Sequence, residues 1–207
     1  TKVYAVGKFT TVNGITQSRF TGLFASNGAV DTALRQKVDS DYDPNRTYQQ
    51  GVLAVGDEIW ITGSQHSTQV YRASDFSLIR NFGTVPWGDG QALAITGGRV
   101  YYGSHANDVT LMYSDPPSPI YTRSGWNTQG STRSDPVKWL GAWDAGGDHR
   151  FIGEWYPQIG TQYGEGGWEL FADSVGCLWA GGDFNRGSFD GNVARYVGGF
   201  AKFCPGD

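Results

Sequence analysis

The chain has 207 residues, of which 31 are glycine, 14% aromatic and 17% charged, where an average domain carries about 25% charged residues and about 7% glycine. That length suits one domain of ordinary size, and the composition argues against a helical bundle and against disorder. The net charge of −4 and the lack of a Lys/Arg-rich run exclude the electrostatics of a nucleic-acid partner, and no apolar stretch reaches the roughly 18 residues that a membrane-spanning helix needs.

In chain order, Val3-Tyr4-Ala5-Val6 reads as a strand, and residues 21–31 answer it with an alternating run that turns on Asn27-Gly28. Residues 32–38 are the one stretch with room for a short helical turn. The ill-patterned stretch 32–50 holds Asp39, Asp41 and Asp43 at alternate positions, a spacing that suits calcium with its about six to eight oxygen ligands. The Gly and Glu that complete an EF-hand loop are missing, so this candidate calcium site stands against a plain solvated loop.

Residues 52–63, 92–103 and 170–181 repeat one pattern: a small apolar strand, a Gly-containing turn, then apolar-aromatic-x-Gly. Leu53, Leu93 and Phe171 correspond in it, as do Trp60, Tyr101 and Trp179. The turns Gly56-Asp57, Gly97-Gly98 and Val175-Gly176 supply the positive φ of tight hairpins. Alternating runs at 69–79 and 139–149 provide third strands, so each unit reads as a meander of about four strands. A longer match lays 3–25 on 178–201, setting Phe9 against Phe184, Arg19 against Arg195 and Ala25 against Ala201. Between the second and third hairpin copies, residues 104–136 hold four of the eight prolines and no further copy of the pattern, which predicts an extended excursion.

Repeats of roughly 40 to 50 residues, each a four-stranded meander, are what β-propeller blades look like; an irregular β-sandwich is the alternative. The expected fold is therefore all-β, a propeller-type array of about four units at about 3–50, 51–90, 91–167 and 168–207 in one domain. The strings at 6–14 (VGKFTTVNG), 180–188 (AGGDFNRGS) and 22–34 (GLFASNGAVDTAL) resemble propeller-like repeats with a G-G-D-F-T-x-V-N-G core followed by L-A-x-x-D-x-x-G. Such repeats are common in large secreted or surface proteins of bacteria and in some phage tail proteins. The resemblance implies an architecture and an extracellular setting, and no single activity.

Cys177 begins one strand of the last unit and Cys204 ends the next, so the two can bond, closing a loop of about 28 residues for roughly 3 kcal/mol. His66 and His105 follow equivalent strands, near Ser64 and Ser104, and should share one rim. Repetition of a degenerate loop explains these pairs more simply than nucleophilic chemistry. Asp144, Asp148, Glu154, Glu165 and Asp173 are the carboxylates from which a glycosidase pair would be drawn. Trp87 and Trp126 sit among Gly and polar residues in loops and are the candidate ligand-stacking rings, whereas Trp60, Trp155, Trp168 and Trp179 have strand-like neighbours and read as core.

These features predict a non-catalytic module of a larger secreted, cell-surface or phage tail protein, for scaffolding, adhesion, or glycan or protein recognition, with no cofactor beyond the candidate calcium. The alternatives are a carbohydrate-active hydrolase or lyase and a subunit of an extracellular fibre. The first unit lacks an opening strand and the last a closing one. The chain is therefore expected to be part of a longer polypeptide, or to pair at its open strand edges with a second chain.

Overall fold

Alternating runs separated by Gly-rich turns pair antiparallel wherever one face can be buried, and the computed structural model, which describes residues 1–34, 48–113, 131–188 and 195–205, is built this way. Strand β1 (Lys2–Val6) leads through a small hairpin of β2 (Thr11–Val12) and β3 (Ile15–Thr16) to its partner β4 (Phe20–Phe24), to which Val30 adds a bridge at Leu23. A 3-10 turn at Thr32–Leu34 is the helical element among the described residues. The acidic run Asp39, Asp41 and Asp43 lies outside them.

Strands β5 (Gln49–Val55), β6 (Glu58–Gly63), β7 (Ser67–Arg72) and β8 (Leu78–Val85) form a full meander. β9 (Gly90–Thr96) and β10 (Arg99–Ser104) make the next hairpin, whereas β11 (Val109–Tyr113) and β12 (Arg133–Val137) pair with each other and join β8, giving a six-stranded sheet. The excursion expected over 104–136 is thus bounded by strands. Val109, Leu111 and Tyr113 bury alternate side chains, and Pro136 sits in edge strand β12, where its missing N–H spares the ladder. Residues 114–130, Trp126 among them, lie outside the described residues.

β13 (Leu140–Asp144) returns to β10. β14 (Gln158–Thr161) is followed by β15 (Gly167–Ala172), β16 (Leu178–Gly182), β17 (Phe184–Ser188) and β18 (Phe200–Phe203); β15, β16 and β18 form a three-stranded sheet, and β14 pairs with β17.

The three repeated hairpins carry a β-bulge at the same end. One extra residue, Gln50, Gln91 or Trp168, interrupts the register beside the pairs Gln49↔Gly63, Gly90↔Ser104 and Gly167↔Gly182. Counting from these bulges, Trp60, Tyr101 and Trp179 share one position, as expected. Leu53 and Phe171 match Ala94 instead of Leu93, and a one-residue slip puts Leu93 on the opposite face. Gly7 and Gly182 donate their N–H groups to the carbonyls of Arg19 and Gly199. Arg19 therefore matches Gly199 and not Arg195, and Phe20 matches Phe200.

The sheets stack face on face in chain order. Tyr4, Val6 and Phe20 pack on Val52, Ile59, Ile61 and Tyr71. The opposite face of that second sheet, with Leu53, Trp60, Val70 and Phe82, packs on Leu93, Val100, Tyr102 and Trp143. The third sheet repeats the arrangement, placing Ala92, Ala94, Tyr101 and Leu140 on Leu170, Leu178, Ala180, Ala201 and Phe203. The second and third sheets thus hide apolar side chains on both faces, which is why their strands read as nearly continuous apolar runs.

Candidate functional site

The two ends of the stacked sheets differ in chemistry. At the hairpin-turn end of the third and fourth sheets lies a cleft of about 810 Å³, within the usual range for small-ligand sites. The β9–β10 turn contributes Gly97, and β10 contributes Arg99 and Tyr101. The connection before β14 contributes Glu154 and Trp155, β14 contributes Gln158, and the end of β18 contributes Lys202 and Phe203. Thr96 Oγ1 donates to the Gly176 carbonyl at 2.9 Å and holds the two turns together. Trp155 meets Tyr101 edge-on at 4.9 Å and Phe203 at 5.3 Å between ring centroids, so its orientation is fixed from both sides.

A disulfide between Cys177 and Cys204 borders this cleft. The two residues continue the β16–β18 ladder one step beyond the pair Leu178↔Phe203, so the strand-end argument from sequence holds.

Charges in the cleft are set by neighbours. The backbone N–H of Glu154 and the Arg150 guanidinium hold the Glu154 carboxyl below the usual carboxylate range. Burial, followed by the hydrogen bond from its Oη to Asp108 Oδ1 at 2.6 Å, pushes the phenol of Tyr156 up to about 12.

The bulge end carries a polar rim. His66 Nε2 lies 2.9 Å from Asp89 Oδ1, Tyr48 Oη donates to Asp89 Oδ2 at 3.3 Å, and the His105 N–H donates to the Asp89 carbonyl at 2.9 Å. The two histidines do share one rim. The serines beside them serve the backbone: Ser64 Oγ bonds Tyr48 on both its N–H and its carbonyl, and Ser104 Oγ bonds the Trp139 carbonyl and the Ala106 N–H. Burial first, and then the Asp89 charge, raises the phenol of Tyr48. Trp87 belongs to this rim, 54% exposed, two residues before Asp89. It is separated from the cleft by the length of β9, roughly 20 Å at strand rise.

Sequence reasoning picked rings by their loop setting and so missed Trp155, which lies half-buried in the cleft. Of the four tryptophans read as core, Trp60 is fully buried, whereas Trp168 is 51% exposed because it is the extra residue of a bulge. The signal for Trp155 was its place in Glu154-Trp155-Tyr156-Pro157, an aromatic pair between a charge and a proline outside any strand.

Of the five carboxylates, Asp144 and Glu154 flank one guanidinium, and Asp148 is exposed. Arg150 lies 3.4 Å from both Asp144 and Glu154, Glu165 faces His105 at 3.6 Å, and only Glu154 of the five lines the cleft. Asp173 organises the β15–β16 turn by accepting from Trp179 Nε1 and from the N–H groups of Val175 and Cys177, which holds its carboxyl low.

No family model and no curated protein matches this chain. Among solved structures, it is similar to the extracellular domain of a protein assigned as a one-component system of B. thetaiotaomicron, at 16% identity and a TM-score of 0.44 over 82% of the chain. It is also similar to the computationally designed Ika8 protein, at 12% identity and a TM-score of 0.43 over 95% of the chain. The chain spans 18% of the first and 55% of the second. No helix among the described residues is long and apolar enough to cross a membrane.

Proposed function

We propose that this chain is a non-catalytic extracellular recognition module of β-propeller type that holds a glycan in the cleft between its third and fourth sheets. The observation that carries the reading is the lining. Trp155, braced by Tyr101 and Phe203, stands beside Arg99, Glu154 and Gln158, which supplies an apolar ring for a sugar face and planar or charged groups for its hydroxyls. Support for the propeller-type arrangement comes from the successive face-on-face sheets and from the resemblance of residues 6–14 and 180–188 to propeller-like repeats. The disulfide supports an oxidising, extracellular setting. A hydrolase needs two convergent carboxyls, one of them with a raised pKa. The cleft holds Glu154 alone of the five, and Glu154 and Asp173 are shifted downward.

A glycan array followed by calorimetry on the best oligosaccharide tests this reading. Trp155→Ala and Arg99→Ala should each weaken binding at least about tenfold, the equivalent of 1.4 kcal/mol, and Trp87→Ala should leave it unchanged. Loss with Trp87→Ala alone would move the ligand to the bulge-end rim. Silence across the array, or turnover abolished by Glu154→Gln, would overturn the proposal.

A further inference from the structure

Three times in this chain, the face of a sheet that carries the repeated aromatic covers the opposite face of the next sheet. Two faces are left at the ends of the stack. Val3 matches Ile59, Val100 and Leu178 in register, and those three are 0%, 0% and 1% exposed, whereas Val3 is 53% exposed. At the other end, Phe200 matches Phe20, which is fully buried, yet Phe200 is 56% exposed. Phe171 and Trp179 are a direct cross-strand pair on the same face as Phe200, because alternate residues of a strand share a face. Trp179 stacks on Phe200 at 6.1 Å. A Cβ added at Gly181, between them, would meet nothing within 4 Å. Among the described residues, no sheet covers this aromatic surface.

We propose that the outward face of the last sheet, built on Phe171, Trp179 and Phe200, is an interface for a second copy of this chain, which docks its first sheet there through Val3 and Leu23. The argument is continuity. Among the described residues, each of the other faces that carry the repeated aromatic is covered by an apolar face of this one type, and the Val3 face is the remaining surface of that type. A head-to-tail contact of this kind is heterologous, so two copies close a ring if the rotation allows and otherwise extend. A sugar is the poorer occupant. Lys202 Nζ already lies over the Trp179 ring, 4.6 Å from its centroid, where a stacking sugar would sit. The contact joins faces, in contrast to the edge pairing expected from sequence.

Sedimentation equilibrium of the wild-type chain at tens of micromolar should give the mass of two chains, or of a longer series. The double variant Phe171→Glu, Phe200→Glu should give one chain, and so should Val3→Glu. Mixing the two variants should restore a two-chain species, because each keeps one intact face. Circular dichroism reports whether the variants fold, and Phe171→Ser and Val3→Ser replace them if glutamate unfolds the sheet. A wild-type monomer at every concentration would overturn the proposal. Assembly that Val3→Glu leaves intact would also overturn it, since the aromatic face would then meet itself or another surface. A monomer whose Phe171 face binds polysaccharide would replace the second copy with a glycan.

Discussion

Gly90 opens β9 directly against Thr62 of β6, and a Cβ at position 90 would overlap the Thr62 hydroxyl. Thr62 is fully buried and cannot swing aside, because its Oγ1 bonds Thr68 Oγ1 at 3.1 Å and the Ser67 carbonyl at 3.3 Å. The second and third sheets therefore meet at this point only because one of them has no side chain. Gly90→Ala should destabilise the fold by about 1–3 kcal/mol, the usual cost of overpacking. Combining it with Thr62→Gly should recover part of the loss, and a double-mutant cycle in urea reads this coupling directly.

The Cys177–Cys204 disulfide clamps the last sheet across 27 positions of sequence. Replacing both residues with Ala, which respects their packing, should lower stability by about 3–4 kcal/mol in the chain-entropy model. The denaturant midpoint should fall accordingly, and intact mass in denaturant should rise on reduction of the wild type and stay fixed in the variant. Two alkylatable thiols in the native protein would contradict the bond and weaken the extracellular reading.

Lys2 Nζ lies 2.6 Å from Asp31 Oδ2 and ties β1 to the turn before Thr32. The hydrogen bond from Lys2, then that from the Ala33 N–H, holds the Asp31 carboxyl below its ordinary range against the opposing effect of burial. The same contact raises the Lys2 ammonium. A depressed carboxyl contributes stability above the unfolded carboxylate value, and that stability is lost as pH falls through the depressed value. A raised lysine contributes below its unfolded value and is lost as pH rises through the raised one. The pair should therefore stabilise fully between about pH 5 and about pH 9. Asp31→Asn should flatten both limbs of a plot of denaturation midpoint against pH, and an unchanged acid limb would assign acid sensitivity to other groups.

His149 is buried, with Nε2 2.9 Å from both oxygens of Glu58 and its ring edge-on to Trp60 at 5.3 Å. It also has a left-handed backbone, φ 52°, which Asn tolerates better than most residues. His149→Asn thus keeps the backbone and removes the ring and the Glu58 contact. The expected cost is about 2–3 kcal/mol, accompanied by a change in Trp60 fluorescence; a loss below about 0.5 kcal/mol, the ordinary scatter of surface changes, would show that the contact is idle.

What the amino-acid sequence determined by itself is local. Alternation and Gly turns define the hairpins at 52–63, 92–103 and 170–181, the aromatic position shared by Trp60, Tyr101 and Trp179, and the pairing of Cys177 with Cys204, because each depends on residues joined by a short turn or one ladder. The bulges at Gln50, Gln91 and Trp168 were not legible, since an extra residue leaves no mark on composition but resets which side chains share a face. Those resets turned Leu93 away from the Leu53 position and left Trp168 in solvent. The strands at the flanks of 104–136 were hidden for a related reason: β11 pairs with β8, which lies in an earlier unit, and β12 pairs with β11 from the far end of the excursion. The cleft around Trp155 depended on tertiary structure altogether. Its walls come from the β9–β10 turn, the segment before β14 and the end of β18, and only the packing of the third sheet on the fourth brings segments about a hundred residues apart into one site.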